Sequence, residues 1–296
     1  MPFANTGGPA IYYEAAGDPT NAPIVLISGA SAQLIWWRDE FVQRLIDHGL
    51  FVIRFDNRDV GLSAKIGGPD DLGPAYGVRD MADDICRVLD ALGVASAHVV
   101  GQSLGGAIAQ VMAITHPSRV RSMVLFYTLP AFERQYLSDE LQQSVVSMAG
   151  PGAAPGGPTR EDTIADFLER ERNTRSTAYE FDETWMREYV TRCVDRGYCP
   201  GGIVRQAQAA LGLGDLKPAL KTLSLPAAII HGRADRLLKV EGGFDLGQLI
   251  PDAELHIYPG MGHEFPRPLW DEFVDIIART TQRADQNAPL SAIPSR

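Results

Sequence analysis

The sequence predicts an α/β protein wound around a parallel sheet, and three observations carry that reading. Short apolar runs without polar alternation, the pattern of strands covered on both faces, recur between segments with a helical apolar stripe. One such run, Val99-Val100, breaks at Gly101-Gln102-Ser103-Leu104-Gly105 and continues into a helix-like stretch at 108–114. The repeated strand-helix-strand units indicate a doubly wound sheet, interrupted from about 129 to 214 by a segment with almost no strand character.

In chain order, residues 11–15 form a short β-prone run, and the turn-rich 17–23 separates it from a buried strand at 24–27 that ends in Ser28-Gly29-Ala30-Ser31. Phe41, Val42, Leu45 and Ile46 give 39–48 a helical stripe, with Gly49 as a stop before the strand at 51–55. A turn-forming loop, 56–63, precedes a helix over 80–92. Its Asp80, Asp83 and Asp84 read as a solvated acidic first turn, which the helix dipole favours, rather than as a metal site.

After the serine turn comes a helix at 107–116 ended by Pro117, then a buried strand at 120–127. Residues 129–216 read as a helical insertion, a cap, and include a flexible Gly/Pro-rich stretch at 149–158. Strands return at 225–230 and 253–258 around a helix at 244–249, and a last amphipathic helix occupies 270–278. The expected organisation is a core in two parts, 1–128 and 217–282, with the cap between them and a disordered polar tail at 283–296.

The 296 residues can bury a large core. A formal net charge of -10 counts against nucleic acid or an anionic membrane as main partner, since both require basic patches. No apolar run reaches eighteen residues, and Met1-Pro2-Phe3-Ala4-Asn5 lacks a signal-peptide pattern. The expectation is a cytoplasmic protein that acts on a small-molecule substrate and does not insert in membranes. Three cysteines, Cys86, Cys193 and Cys199, are too few for a disulfide framework, and no spacing suggests zinc.

Gly101-Gln102-Ser103-Leu104-Gly105 reads G-x-S-x-G, a turn that exposes a serine hydroxyl above the sheet and sets it beside the orphan N–H groups of a helix start. Phosphate-binding turns need G-x-G-x-x-G or a G-K-[ST] ending, and neither is present. Acyl transfer by serine also needs a base and a carboxylate to orient it. Asp235 and His263 each follow a strand in a loop, at the sheet end where open α/β folds build their sites. The order Ser103, Asp235, His263 makes all three the candidate catalytic residues.

With these segments the chain resembles the α/β-hydrolase superfamily over residues 10 to 280. Residues 53–63 and Pro259-Gly260-Met261-Gly262-His263 further resemble the branch that contains aclacinomycin methylesterase. The resemblance implies an eight-stranded, mostly parallel sheet with helices on both faces, and a helical cap inserted after the sixth strand. It also implies a Ser-His-Asp esterase needing no metal or organic cofactor. Many relatives carry His-Gly where this chain has Ser28-Gly29. The family pattern puts the oxyanion hole at the backbone N–H groups of Ala30 and Leu104.

Candidate pocket residues are Trp36 and Trp37 after the first central strand, and Phe132, Trp185, Met186 and Tyr189 in the cap. The cap carries 14 acidic against 9 basic residues, which disfavours strongly anionic substrates. The leading expectation is a serine hydrolase of a medium-sized, largely apolar ester, a methyl ester or a lactone. A carbon-carbon bond hydrolase or cofactor-free perhydrolase would use the same three residues. The former would want cations such as Arg187, Arg192, Arg196 or Arg205 for a substrate carboxylate. A small-molecule receptor on the same fold is the alternative from outside enzymology.

Overall fold

In the computed structural model, which describes residues 2–68, 71, 73, 75–139, 141, 142 and 159–287, one eight-stranded sheet runs through the molecule. Its strands are β1 (Phe3–Ala4), β2 (Ile11–Ala16), β3 (Ala22–Ile27), β4 (Leu50–Phe55), β5 (Ala97–Gln102), β6 (Val120–Phe126), β7 (Ala227–Gly232) and β8 (Glu254–Tyr258). They lie in the order β1-β2-β4-β3-β5-β6-β7-β8. β1 and β2 join antiparallel, and every pairing from β4 to β8 is parallel. β1 is too short to leave a periodic signal.

The helices are α1 (Asp39–Asp47), α2 (Val78–Ala91), α3 (Leu104–Thr115), α4 (Arg160–Thr174), α5 (Glu183–Gly197), α6 (Pro200–Leu211), α7 (Lys217–Leu220), α8 (Glu241–Leu249) and α9 (Trp270–Asn287). The central strands are apolar throughout because successive side chains enter different cores. Val25, Ile27 and Val99 pack with Met81 of α2 and Ile108 of α3, whereas Ile24, Leu26 and Val100 pack with Phe41 of α1 and Phe273 of α9.

β3 lies between β4 and β5, so the chain leaves it first to one side and then to the other. That reversal opens a crevice at the carboxyl ends of β3 and β5. Ile27 is level with Gly101 across the pair, which brings the loop at Ser28-Gly29 beside Gln102-Ser103. Glycine is required there by close approach. A Cβ on Gly101 would sit 2.2 Å from the Gly105 carbonyl oxygen, and one on Gly105 would sit 2.2 Å from that of Ile27. Both obstacles are backbone, so Gly101→Ala should lower the melting temperature by roughly 5–10 °C. A thermal scan showing no change would mean that the turn can relax.

Between β6 and β7 the described residues contain helices α4 to α7 and no strand, only isolated bridges from Ala131 to Asp215 and from Leu137 to Leu238. The Gly/Pro-rich 149–158 lies outside the described residues. Two expectations need correction. α9 does not stop near 278 with a disordered tail from 283, but runs to Asn287. Arg279 and Arg283 hold Glu254 of β8, and Asp285 is tied to Arg121 at the start of β6, so polar residues make the docking contacts. Residues 288–296 lie outside the described residues.

The acidic turn of α2 is also not simply solvated. Asp80 accepts from the Gly77 N–H at 2.8 Å and Asp83 lies 2.6 Å from His116, while Asp84 is buried under a bidentate Arg58 at 2.6 and 2.8 Å. The three cysteines are free. No described helix is long and apolar enough to cross a membrane.

Candidate active site

Ser103 follows β5 and caps α3 with φ 52° and ψ -117°, a left-handed backbone that a non-glycine residue adopts at a cost of about 1–3 kcal/mol. The neighbours impose this conformation. The Ser103 N–H donates to Phe126 O at 3.0 Å, its carbonyl accepts from the Thr128 hydroxyl at 2.8 Å, and Gly101 and Gly105 let strand and helix close on each other.

Asp235 and His263 meet because their loops are bound together. A Cβ on Gly232 would lie 2.0 Å from Met261 O, and Ala234 N–H donates to that same oxygen at 3.0 Å. His263 Nδ1 is then 2.8 Å from Asp235 Oδ2. The other carboxylate oxygen accepts from Leu237 and Leu238 N–H at 2.8 and 2.9 Å, and His231 Nε2 stands 3.5 Å from Oδ2. Burial would push the Asp235 carboxyl up, but the His263 and His231 rings outweigh it and hold the group well below the usual carboxylate range. With Nδ1 on an anion, the His263 proton resides there and Nε2 is left as an acceptor. Tyr127, buried at φ 36°, sets its ring edge-on to His263 at 4.7 Å between centroids.

Ser103 and His263 line two adjoining cavities, and Ala30 and Leu237 line both as well. One, about 240 Å³, is bounded by Trp36, Phe167, Arg170, Glu171 and Tyr189. The other, about 210 Å³, is bounded by Leu104, Leu129, Phe132, Ile203 and Ala207. Ala30 and Leu104 thus both border the space above Ser103. Leu104 is the first residue of α3, so its N–H has no acceptor within the helix, and among the described residues no backbone acceptor takes the Ala30 N–H. Gln206 of α6 holds this loop by accepting from Ser31 N–H at 2.8 Å while donating to Arg58 O at 2.9 Å.

Three expected pocket residues lie elsewhere. Trp37 is in the core, stacked on Phe41. Trp185 and Met186 border a separate recess of about 40 Å³ beside Arg38, whose guanidinium covers the Trp185 ring at 3.6 Å. Trp36, Tyr189 and Phe132 do line the cavities at Ser103. The arginines considered for a substrate carboxylate do not. Arg187 faces Glu183 at 3.6 Å, Arg196 pairs with Asp56 at 3.0 Å, Arg205 is buried on Asp59 at 2.8 Å, and Arg192 borders neither cavity. Among the described residues no group of three or more His, Cys, Asp or Glu could hold a metal ion.

One contact that holds the His263 loop left no signal in the sequence. Glu264, fully buried beside His263, accepts from Ser176 Oγ at 2.6 Å and Gly262 N–H at 3.2 Å, and pairs with Arg175 at 3.0 Å. His263 N–H donates to Thr174 O at 3.2 Å, so the end of α4 and its following turn clamp the histidine loop. Removing one partner of such a buried pair leaves an uncompensated charge. Glu264→Ala should therefore cost about 3 kcal/mol in urea unfolding, and a loss under ~0.5 kcal/mol would show the clamp to be slack.

Sheet, switch-point crevice and strained serine turn define an α/β protein of the hydrolase class. A family model described as the α/β hydrolase fold matches residues 22–266, and the chain belongs to that family. Rhodomycin D methylesterase of Streptomyces sp. (strain C5) is 44% identical over 115 residues, 39% of this chain and 38% of that protein. The chain thus matches about two fifths of the length of that relative. A putative carbamate hydrolase of Variovorax paradoxus is 25% identical over 261 residues, covering 86% of this chain and 89% of its own. Among solved structures, an esterase from Exiguobacterium antarcticum superposes with a TM-score of 0.75 at 21% identity, over 95% of this chain and 98% of that one. That likeness concerns the fold.

Proposed function

We propose that this chain hydrolyses carboxylic esters of medium size, including methyl esters or lactones, with Ser103 as nucleophile, His263 as base and Asp235 as its orienting carboxylate. The observation that carries this reading is the 2.8 Å contact from His263 Nδ1 to Asp235 Oδ2 behind a strained serine on the same cavity wall. The match to a protein named a methylesterase agrees with it. In this reading residues 129–216 act as the cap, and Trp36, Tyr189 and Phe132 shape the pocket.

Ser103 Oγ attacks the ester carbonyl as His263 Nε2 takes its proton, and the carbonyl oxygen becomes an anion received by the N–H groups of Ala30 and Leu104. Collapse expels the alcohol, which takes the proton back from His263, and leaves an acyl-Ser103. Water, deprotonated by His263, attacks that acyl group and releases the acid and the free serine. The serine proton thus leaves with the alcohol and a proton of the water replaces it on Ser103, so His263 ends as it began and the cycle balances with ester and water alone.

The test is labelling by a fluorophosphonate together with turnover of p-nitrophenyl esters of graded length and of a ring-cleavage dienoate. Modification of Ser103 with ester turnover is the expected result. Turnover of the dienoate alone would replace the reading with carbon-carbon hydrolysis, and an unlabelled Ser103 would end it.

A further inference from the structure

Glu171 of α4 borders the larger cavity beside Ser103 and His263, yet the mechanism does not use it. Among the described residues its carboxylate accepts no hydrogen bond and forms no ion pair. Its cationic neighbours are already committed, since Arg175 pairs with Glu264 at 3.0 Å and Arg170 with Asp166. Burial pushes the Glu171 carboxyl up, against the opposing pull of Arg175, His263 and Arg170. Glu171 is half-buried on the cavity wall, so a cation bound in the cavity would meet a carboxylate that no described side chain pairs.

The wall's other charged side chain, Arg170, is tied to Asp166. Trp36, Phe167 and Tyr189 line the same cavity, and aromatic faces attract cations, most strongly alkylammonium groups that are weakly hydrated. The adjoining cavity across Ser103 offers Leu129, Phe132, Ile203 and Ala207 and, among the described residues, no Asp, Glu, Lys or Arg. We infer that the Glu171 cavity is an alkylammonium subsite, so that the substrate carries a cationic amine on one side of its scissile ester and an apolar group on the other.

This rests on the ester-hydrolase reading, and the experiment separates the two. Binding of choline, its neutral isostere 3,3-dimethylbutan-1-ol, and the anion 3,3-dimethylbutanoate is measured by calorimetric titration on the full chain. Turnover of p-nitrophenyl butyrate is measured separately and judges the hydrolase reading alone. Choline should bind about tenfold more tightly than the neutral alcohol, given a carboxylate and aromatic faces together. In Glu171→Gln that ratio should fall to within about twofold of unity, because the amide keeps the shape and loses the charge. Choline binding no tighter than the alcohol, including no measurable binding of either, overturns the inference. So does an unchanged ratio in Glu171→Gln, or tightest binding of the anion, which would assign the cavity to Arg170.

Discussion

Ser103→Ala should abolish ester turnover, lowering kcat on p-nitrophenyl butyrate by about 10⁵–10⁶-fold with little change in KM. The methyl group cannot form the acyl-enzyme, while the cavities and the N–H groups of Ala30 and Leu104 remain to bind substrate and keep a small residual rate. The fold should survive, because the strained φ of 52° is held by backbone contacts to Phe126 and Thr128 that alanine preserves. Ser103→Gly should be as inactive but more stable by about 1–3 kcal/mol, since glycine adopts this backbone freely. The measurements are steady-state kinetics and urea unfolding on the same preparations. Alanine activity above a hundredth of wild type would remove Ser103 as nucleophile.

What was legible in the sequence follows from which forces act locally. Strand type at 24–27 and 120–127 could be read because burial on both faces removes polar residues from consecutive positions, and the serine turn because backbone crowding admits only glycine at Gly101 and Gly105. Asp235 and His263 could be paired through their loop positions at strand ends. The pocket was less legible. Whether a tryptophan faces the cavity or the core depends on how one loop turns, and Trp36 and Trp37, adjacent in sequence, went opposite ways. Gln206 and Glu264 act through partners far along the chain, and Glu171 reaches the cavity only through the placement of α4, so no spacing rule marks them. The continuation of α9 was hidden because Arg279 and Arg283 look like solvent-facing residues until β8 supplies Glu254.

Asp235→Asn should leave the fold intact and lower kcat by up to about 10⁴-fold, with KM little changed. The carboxylate is fully buried, is kept ionised by His263 and His231, and accepts two backbone N–H groups through one oxygen and His263 Nδ1–H through the other. An amide can still accept from Leu237 and Leu238 with its oxygen, which keeps the loop in place. Its NH₂ then faces Nδ1 and donates to it, so the ring proton moves to Nε2 and the base is lost where Ser103 needs it. The amide also offers no negative charge to the imidazolium that forms on attack. Two controls share the chemistry but not the position: Asp245 accepts from the Tyr136 hydroxyl, and Asp252 is an exposed turn residue at φ 56°. Asp245→Asn and Asp252→Asn should stay within about threefold of wild type. Near-normal kcat in Asp235→Asn beside a collapse in either control would assign the orienting carboxylate to the wrong loop.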